Sequence, residues 1–118
     1  MQYAPDYPFK KLDFGETLEV APGIHWVRMP LPFALNHINL WLLEDNAGWT
    51  VIDTGYNVKK IRDIWDDAID RIAAGGPINR TIVTHFHPDH LGLAGWFEEK
   101  RMAPLWMTYA EWLQAHVA

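Results

Sequence analysis

The chain opens on two short runs, Glu16 to Val20 and Ile24 to Met29, set around Pro22-Gly23. They read as two strands joined by a tight turn, a hairpin. Met29-Pro30-Leu31-Pro32-Phe33 is not expected in an inner strand, because its two prolines lack ladder donors. Asn36 to Glu44 and Trp49 to Asp53 are predicted as two further strands around the turn signal Asp45-Asn46-Ala47-Gly48. From Asn57 the period changes from two to 3.6. Ile61, Ile64, Trp65, Ala68, Ile69 and Ile72 fall on one helical face, with charges on the other, and Gly75-Gly76-Pro77 ends the run near residue 73. Arg80 to Thr84 is a short buried strand. Asp89 to Lys100 reads as a helix and Pro104 to Met107 as a brief strand. Thr108, with Glu111 three residues on, forms a capping box for a last helix that runs to the end. Residues 1–15 carry Pro5, Pro8 and Gly15 with little periodicity and are expected as an irregular arm before a single domain over 16–118.

Strand 49–53, helix 57–73 and strand 80–84 form a βαβ unit, so the two strands should run parallel. Asp53 and His85 then both stand at carboxyl ends of parallel strands, the edge where open α/β sheets gather ligands. The fold class expected is α/β (α+β), a mixed sheet with flanking helices.

Composition narrows this picture. With 118 residues, 49% of them hydrophobic and 14% aromatic, the chain is a small folded domain with a real core. Its 10 Lys and Arg against 15 Asp and Glu give a net charge of −5. That argues against nucleic acid as a partner and is what ordinary solubility needs. The absence of cysteine excludes disulfides and thiolate metal sites. With neither a leader pattern nor a long apolar run, no membrane partner is expected and a cytoplasmic location is.

The candidate chemistry lies in His85-Phe86-His87-Pro88-Asp89-His90, four metal-binding side chains in six residues. Imidazole and carboxylate are ligands that zinc, iron and manganese share. On an extended segment His85 and His87 point the same way and can grip one ion. Pro88 breaks the run, so Asp89 and His90 point elsewhere and can hold a second. Two cations about 3.5–4 Å apart form a common hydrolytic engine. By chance the pattern arises in roughly one chain of this composition in a thousand, which favours the metal reading over a histidine-rich loop.

His85 to His90 followed by Leu91-Gly92, the Asp53-Thr54-Gly55 tripeptide upstream, and Asn36 with the apolar run Ile38 to Leu43 together resemble the metallo-β-lactamase superfamily. The resemblance covers most of residues 16–112 in the right order. It implies the amino-terminal half of an αββα sandwich, with the family's remaining metal ligands supplied by a second half that has no counterpart here. His85 and His87 would then hold the first zinc, and Asp89 and His90 the second. A hydroxide on the metal would attack an ester, thioester, lactone or amide carbonyl of a small-molecule substrate, with Asp89 orienting it as the catalytic carboxylate. Flavodiiron-type relatives replace the last motif histidine, so His90 argues against them. The other reading is a non-catalytic metal-binding or interaction module that needs a partner chain. The isolated chain is expected to be weak or inactive. It is further expected to meet a second copy in a homodimer, or a missing carboxyl-terminal half, because a half-sandwich leaves one sheet face open.

The remaining candidates carry two readings each. Asp53 either fixes a ligand histidine from behind or closes an Asx turn with Thr54-Gly55, and both can hold together. Gly92 is expected to allow close backbone packing behind the metal loop. His37 reads as a satisfied core or rim histidine rather than a ligand, and His25 and His116 carry no assignment. Leu31 to Leu35 either covers the substrate cleft or a partner, or folds onto the core. Trp65 belongs on the buried helix face. Trp41, Trp49, Trp96, Trp106 and Trp112 cannot all be core in so small a domain, so some should face a partner.

Overall fold

In the computed structural model, which describes residues 11–32 and 37–117, six strands form one sheet in the order of the chain. The strands are β1 (Thr17–Ala21), β2 (Ile24–Pro30), β3 (His37–Asp45), β4 (Gly48–Ile52), β5 (Ile78–Ile82) and β6 (Leu105–Trp106). The helices are α1 (Lys59–Ala73), α2 (Pro88–Leu91), α3 (Ala94–Arg101) and α4 (Tyr109–Val117). Strands β1 to β4 are antiparallel neighbours, while β4–β5 and β5–β6 run parallel. The α/β class and the mixed sheet are as the periodicity predicts, and α1 is the crossover of the βαβ unit.

Local rules place the turns. Ala21 pairs with Ile24 around Pro22-Gly23, with Gly23 at φ 76 where a side chain would be strained. Asp45 pairs with Gly48 across a two-residue loop whose Asn46 takes φ 53, a conformation asparagine tolerates. Thr108 Oγ1 accepts the Glu111 backbone N–H at 3.3 Å, so the predicted cap of α4 forms.

The core lies between α1 and one sheet face. Val27, Met29, Leu40, Leu42 and Val51 alternate with outward residues and meet Ile61, Trp65 and Ile69 of α1. Each such aliphatic side chain contributes about 1.5–3 kcal/mol on burial. Helix α3 joins this core through Phe97, whose ring meets Trp65 edge-on at 5.5 Å. Asp66 of α1 also binds Lys100 at 2.6 Å and Arg101 at 2.7 Å. Burial pushes the Asp66 carboxyl up, but these two cations together outweigh it and leave its pKa below the usual value.

Period-two alternation puts Trp26, Trp41, Leu43, Ile52 and Ile82 on the opposite face, half-buried, with Trp106 exposed beyond them. Trp65 is fully buried as expected, and none of Trp41, Trp49, Trp96, Trp106 and Trp112 is. Met102, Tyr109, Trp112, Leu113 and Val117 are exposed too, so apolar surface concentrates at the carboxyl-terminal end. No helix of the described residues is long and apolar enough to cross a membrane.

Three expectations are corrected. Met29 and Pro30 belong to β2, an inner strand, with Pro30 paired to His37. The Arg28 N–H points toward β1 and donates to Glu16 O, so position 30 faces the same way, beyond the end of β1, where no donor is needed. The predicted helix 89–100 is two helices, α2 and α3, because Leu93 N–H donates to Thr54 Oγ1 instead of a helical carbonyl. Strand β4 ends at Ile52 and β5 at Ile82, so Asp53, Val83 and Thr84 are loop residues. The cover expected of Leu31 to Leu35 and the strand start at Asn36 fall mostly outside the described residues.

Of the two positions expected for His37, core or rim, it takes the rim. Its Nδ1 accepts from Arg28 Nη2 at 3.1 Å, and Phe14 lies beside its ring. Burial, then the charges of Arg28 and Lys11, hold its pKa below the ordinary histidine value. The unfolded chain therefore binds a proton here at a pH where the folded chain does not. Stability carried by neutral His37 is complete above about pH 6.5 and is lost as pH falls below it. His37→Asn should flatten the fall in urea midpoint between about pH 7 and 5. An unchanged slope would remove His37 from the account.

Candidate metal centre

The ends of β4 and β5 meet side by side, with Ile52 opposite Ile82, and the motif begins at His85, three residues after the last residue of β5. Asp53 leaves the strand at φ 59, a left-handed conformation that costs a non-glycine residue about 1 kcal/mol or more. What holds it there is visible. Asp53 N–H donates to Ile82 O at 2.8 Å, and its carboxylate accepts Thr84 N at Oδ1 and Thr84 Oγ1 at Oδ2, both at 2.8 Å. The carboxylate thus ties β4 to the segment entering the motif and does not close a turn on Thr54-Gly55.

Thr54 fixes the other side. It is fully buried; its N–H and Oγ1 each donate to His90 O at 2.8 Å, and Oγ1 accepts Leu93 N–H at 2.9 Å. Its own carbonyl accepts the Trp65 indole N–H at 2.7 Å. Gly92 packs so closely here that an added Cβ would lie 2.6 Å from Gly55 O and 2.5 Å from Pro88 O. The close packing expected of Gly92 is therefore present, and it presses α2 against the end of β4.

These restraints gather the motif's rings. The His85 ring lies 3.9 Å from that of His90 and 4.9 Å from that of His87, between centroids. His90 Nδ1 stands 2.9 Å from Asp53 Oδ2, in a contact whose alignment is too poor for a hydrogen bond. Its Nε2 stands 3.5 Å from Asp89 Oδ2. His85 Nδ1 is 2.9 Å from Thr84 Oγ1. His87 is exposed at the head of α2, against Phe86, and its carbonyl caps the helix through His90 N and Leu91 N.

The donor set fits a borderline cation such as zinc, iron or manganese: imidazole nitrogens and one carboxylate, without thiolate. His90 has its Nδ1 2.9 Å from a carboxylate, the kind of group that metal-bound histidines donate to, but makes no hydrogen bond with it. The fit is partial. Among the described residues, no three of these side chains close on a common point as a ligand cluster. His85, His87, Asp89, His90 and Asp53 share one end of the sheet, whereas His25 and His116 lie elsewhere, the first against Glu19 and Trp49, the second against Trp112. Thr84 and Thr54 were not assigned a role from sequence. Thr84 directly before His85 and Thr54 within Asp-Thr-Gly were the available signals.

Known proteins resemble this chain in sequence and fold. A beta-lactamase domain protein from Burkholderia ambifaria is 47% identical, with a TM-score of 0.84, over 95% of this chain and 36% of its own. A probable metallo-hydrolase from Bacillus subtilis (strain 168) is 29% identical over 75 residues, which is 63% of this chain and 23% of the relative. A metallo-beta-lactamase from Pontibacter korlensis, 15% identical with a TM-score of 0.68, shares the fold over 86% of this chain and 47% of its own. The chain thus spans from about a quarter to about half of the length of these relatives. The family model of the metallo-beta-lactamase superfamily matches residues 34–116, and the chain belongs to that superfamily.

Proposed function

We propose that the chain is the metal-holding part of a zinc-dependent hydrolase that cleaves an ester, thioester, lactone or amide bond of a small molecule. One observation carries the reading: His85 and His90 lie ring against ring at the carboxyl ends of two parallel strands, with Asp53 behind one ring and Asp89 beside it. His85 and His87 would hold one ion, and Asp89 and His90 the other. Bound zinc supplies Lewis acidity and lowers the pKa of water to about 7. Asp89 orients the attacking water and takes its proton. The water oxygen bonds to the carbonyl carbon, the bond from that carbon to oxygen, sulfur or nitrogen then breaks, and the departing atom takes the proton that Asp89 accepted. The rest of the cleft and the remaining ligands come from elsewhere, either from more of a longer chain or from a second copy.

Elemental analysis tests the ligand set. His87→Ala should lower zinc content about tenfold or more, and His37→Ala should leave it near the native level. Equal losses would mean that the ligands are misassigned. The isolated chain should turn over a generic thioester or lactone poorly, because few ligands and an open cleft hold water badly in place. Rates within about tenfold of a complete family enzyme, from a monomer, would overturn that. A chain that binds zinc but stays inert when its partner is supplied would favour the second reading, a non-catalytic metal-binding module.

A further inference from the structure

We infer that Thr84 is a positioning residue that keeps the His85 proton on Nδ1 and leaves Nε2 as the ring's free donor atom. The argument is one of proton counting. Thr84 Oγ1 lies 2.8 Å from Asp53 Oδ2 and 2.9 Å from His85 Nδ1. An ionised carboxylate only accepts, so the single hydroxyl proton of Thr84 must point at Asp53. The oxygen then offers His85 Nδ1 nothing but lone pairs, and a contact of 2.9 Å requires that Nδ1 carry hydrogen. The reverse arrangement would press two unprotonated oxygens together at 2.8 Å.

The hydroxyl cannot turn away cheaply. Thr84 N–H also donates to Asp53 Oδ1 at 2.8 Å, so two bonds clamp the residue to one carboxylate. The same Oδ2 stands 2.9 Å from His90 Nδ1. A single carboxylate therefore faces both imidazoles, setting His85 through Thr84 and lying beside His90 without a hydrogen bond. In His85 this leaves Nε2 available, and the Nε2 of the neighbouring His90 stands 3.5 Å from Asp89 Oδ2. Metal-binding imidazoles need their other nitrogen held in this way. The consequence for metal rests on the proposed function; the tautomer does not.

Imidazole nitrogen NMR on the metal-free chain, at about pH 8 where histidines are neutral, reads the tautomer directly. Native His85 should show hydrogen on Nδ1. Thr84→Val, which keeps the shape and deletes the hydroxyl, should shift His85 toward the Nε2–H form, and Thr84→Ser should restore the native signature. Zinc affinity, measured by competition with a chromophoric chelator, should fall about tenfold or more in Thr84→Val and recover in Thr84→Ser. Native His85 protonated on Nε2, or a Thr84→Val chain with unchanged tautomer and affinity, would overturn the inference. If the native chain takes up no zinc at all, the proposed function fails, while the native tautomer still decides the role of Thr84.

Discussion

Trp65→Ala is expected to remove about 3–5 kcal/mol of stability, a large share of the roughly 5–15 kcal/mol that a domain has. Trp65 is fully exposed to the core and not at all to water. Its ring meets Phe97 of α3 at 5.5 Å, and its indole N–H donates to Thr54 O at 2.7 Å. One side chain thus joins the crossover helix, the helix after the motif, and the loop that carries Asp53. Alanine would leave a cavity and an unpaired buried carbonyl together. Trp65→Phe should cost less, about 1–2 kcal/mol, since it keeps most of the ring and loses chiefly the hydrogen bond. Urea unfolding followed by circular dichroism measures both. A loss below about 1 kcal/mol for Trp65→Ala would show that the contacts around it collapse to fill the space.

Gly92→Ala should cost about 3 kcal/mol, at the upper end for one added carbon. The cause is space and not backbone freedom, because Gly92 has φ −51 and ψ −36, which alanine adopts readily. Its added Cβ would meet Pro88 O at 2.5 Å, Gly55 O at 2.6 Å and Asn57 N at 3.1 Å, all backbone atoms that cannot rotate aside. Relief requires α2 to move off the end of β4, which pulls His90 away from Asp53. Gly95→Ala is the control. Nothing lies within 4 Å of a Cβ there, in helix α3, so alanine should be neutral or add about 0.5–1 kcal/mol. Similar destabilisation by both substitutions would mean that helix composition, and not the packing against Gly55, sets the cost at Gly92.

Apart from the break between α2 and α3, the hydrophobic pattern by itself determined the element order, the two hairpin turns, the parallel pairing of β4 with β5 and the buried face of α1. These are local or nearly local properties: period two against period 3.6, proline and glycine at turns, and the geometry of a βαβ crossover. The motif residues were legible for the same reason, since four metal-binding side chains in six positions form a compositional signal that needs no tertiary contact. What only the tertiary structure decided are the links between distant segments. The helix after the motif breaks because Thr54, 39 residues before Leu93, takes its N–H. Pro30 fits an inner strand because β1 ends short of it, a matter of register. Asp53 serves Thr84, 31 residues away, and not the turn beside it, so the pattern that sets the His85 ring exists only where β4 and β5 end together. A single strand or helix fixes which way its side chains point, but not which partner's hydrogen bonds it will take, and that choice shapes this site.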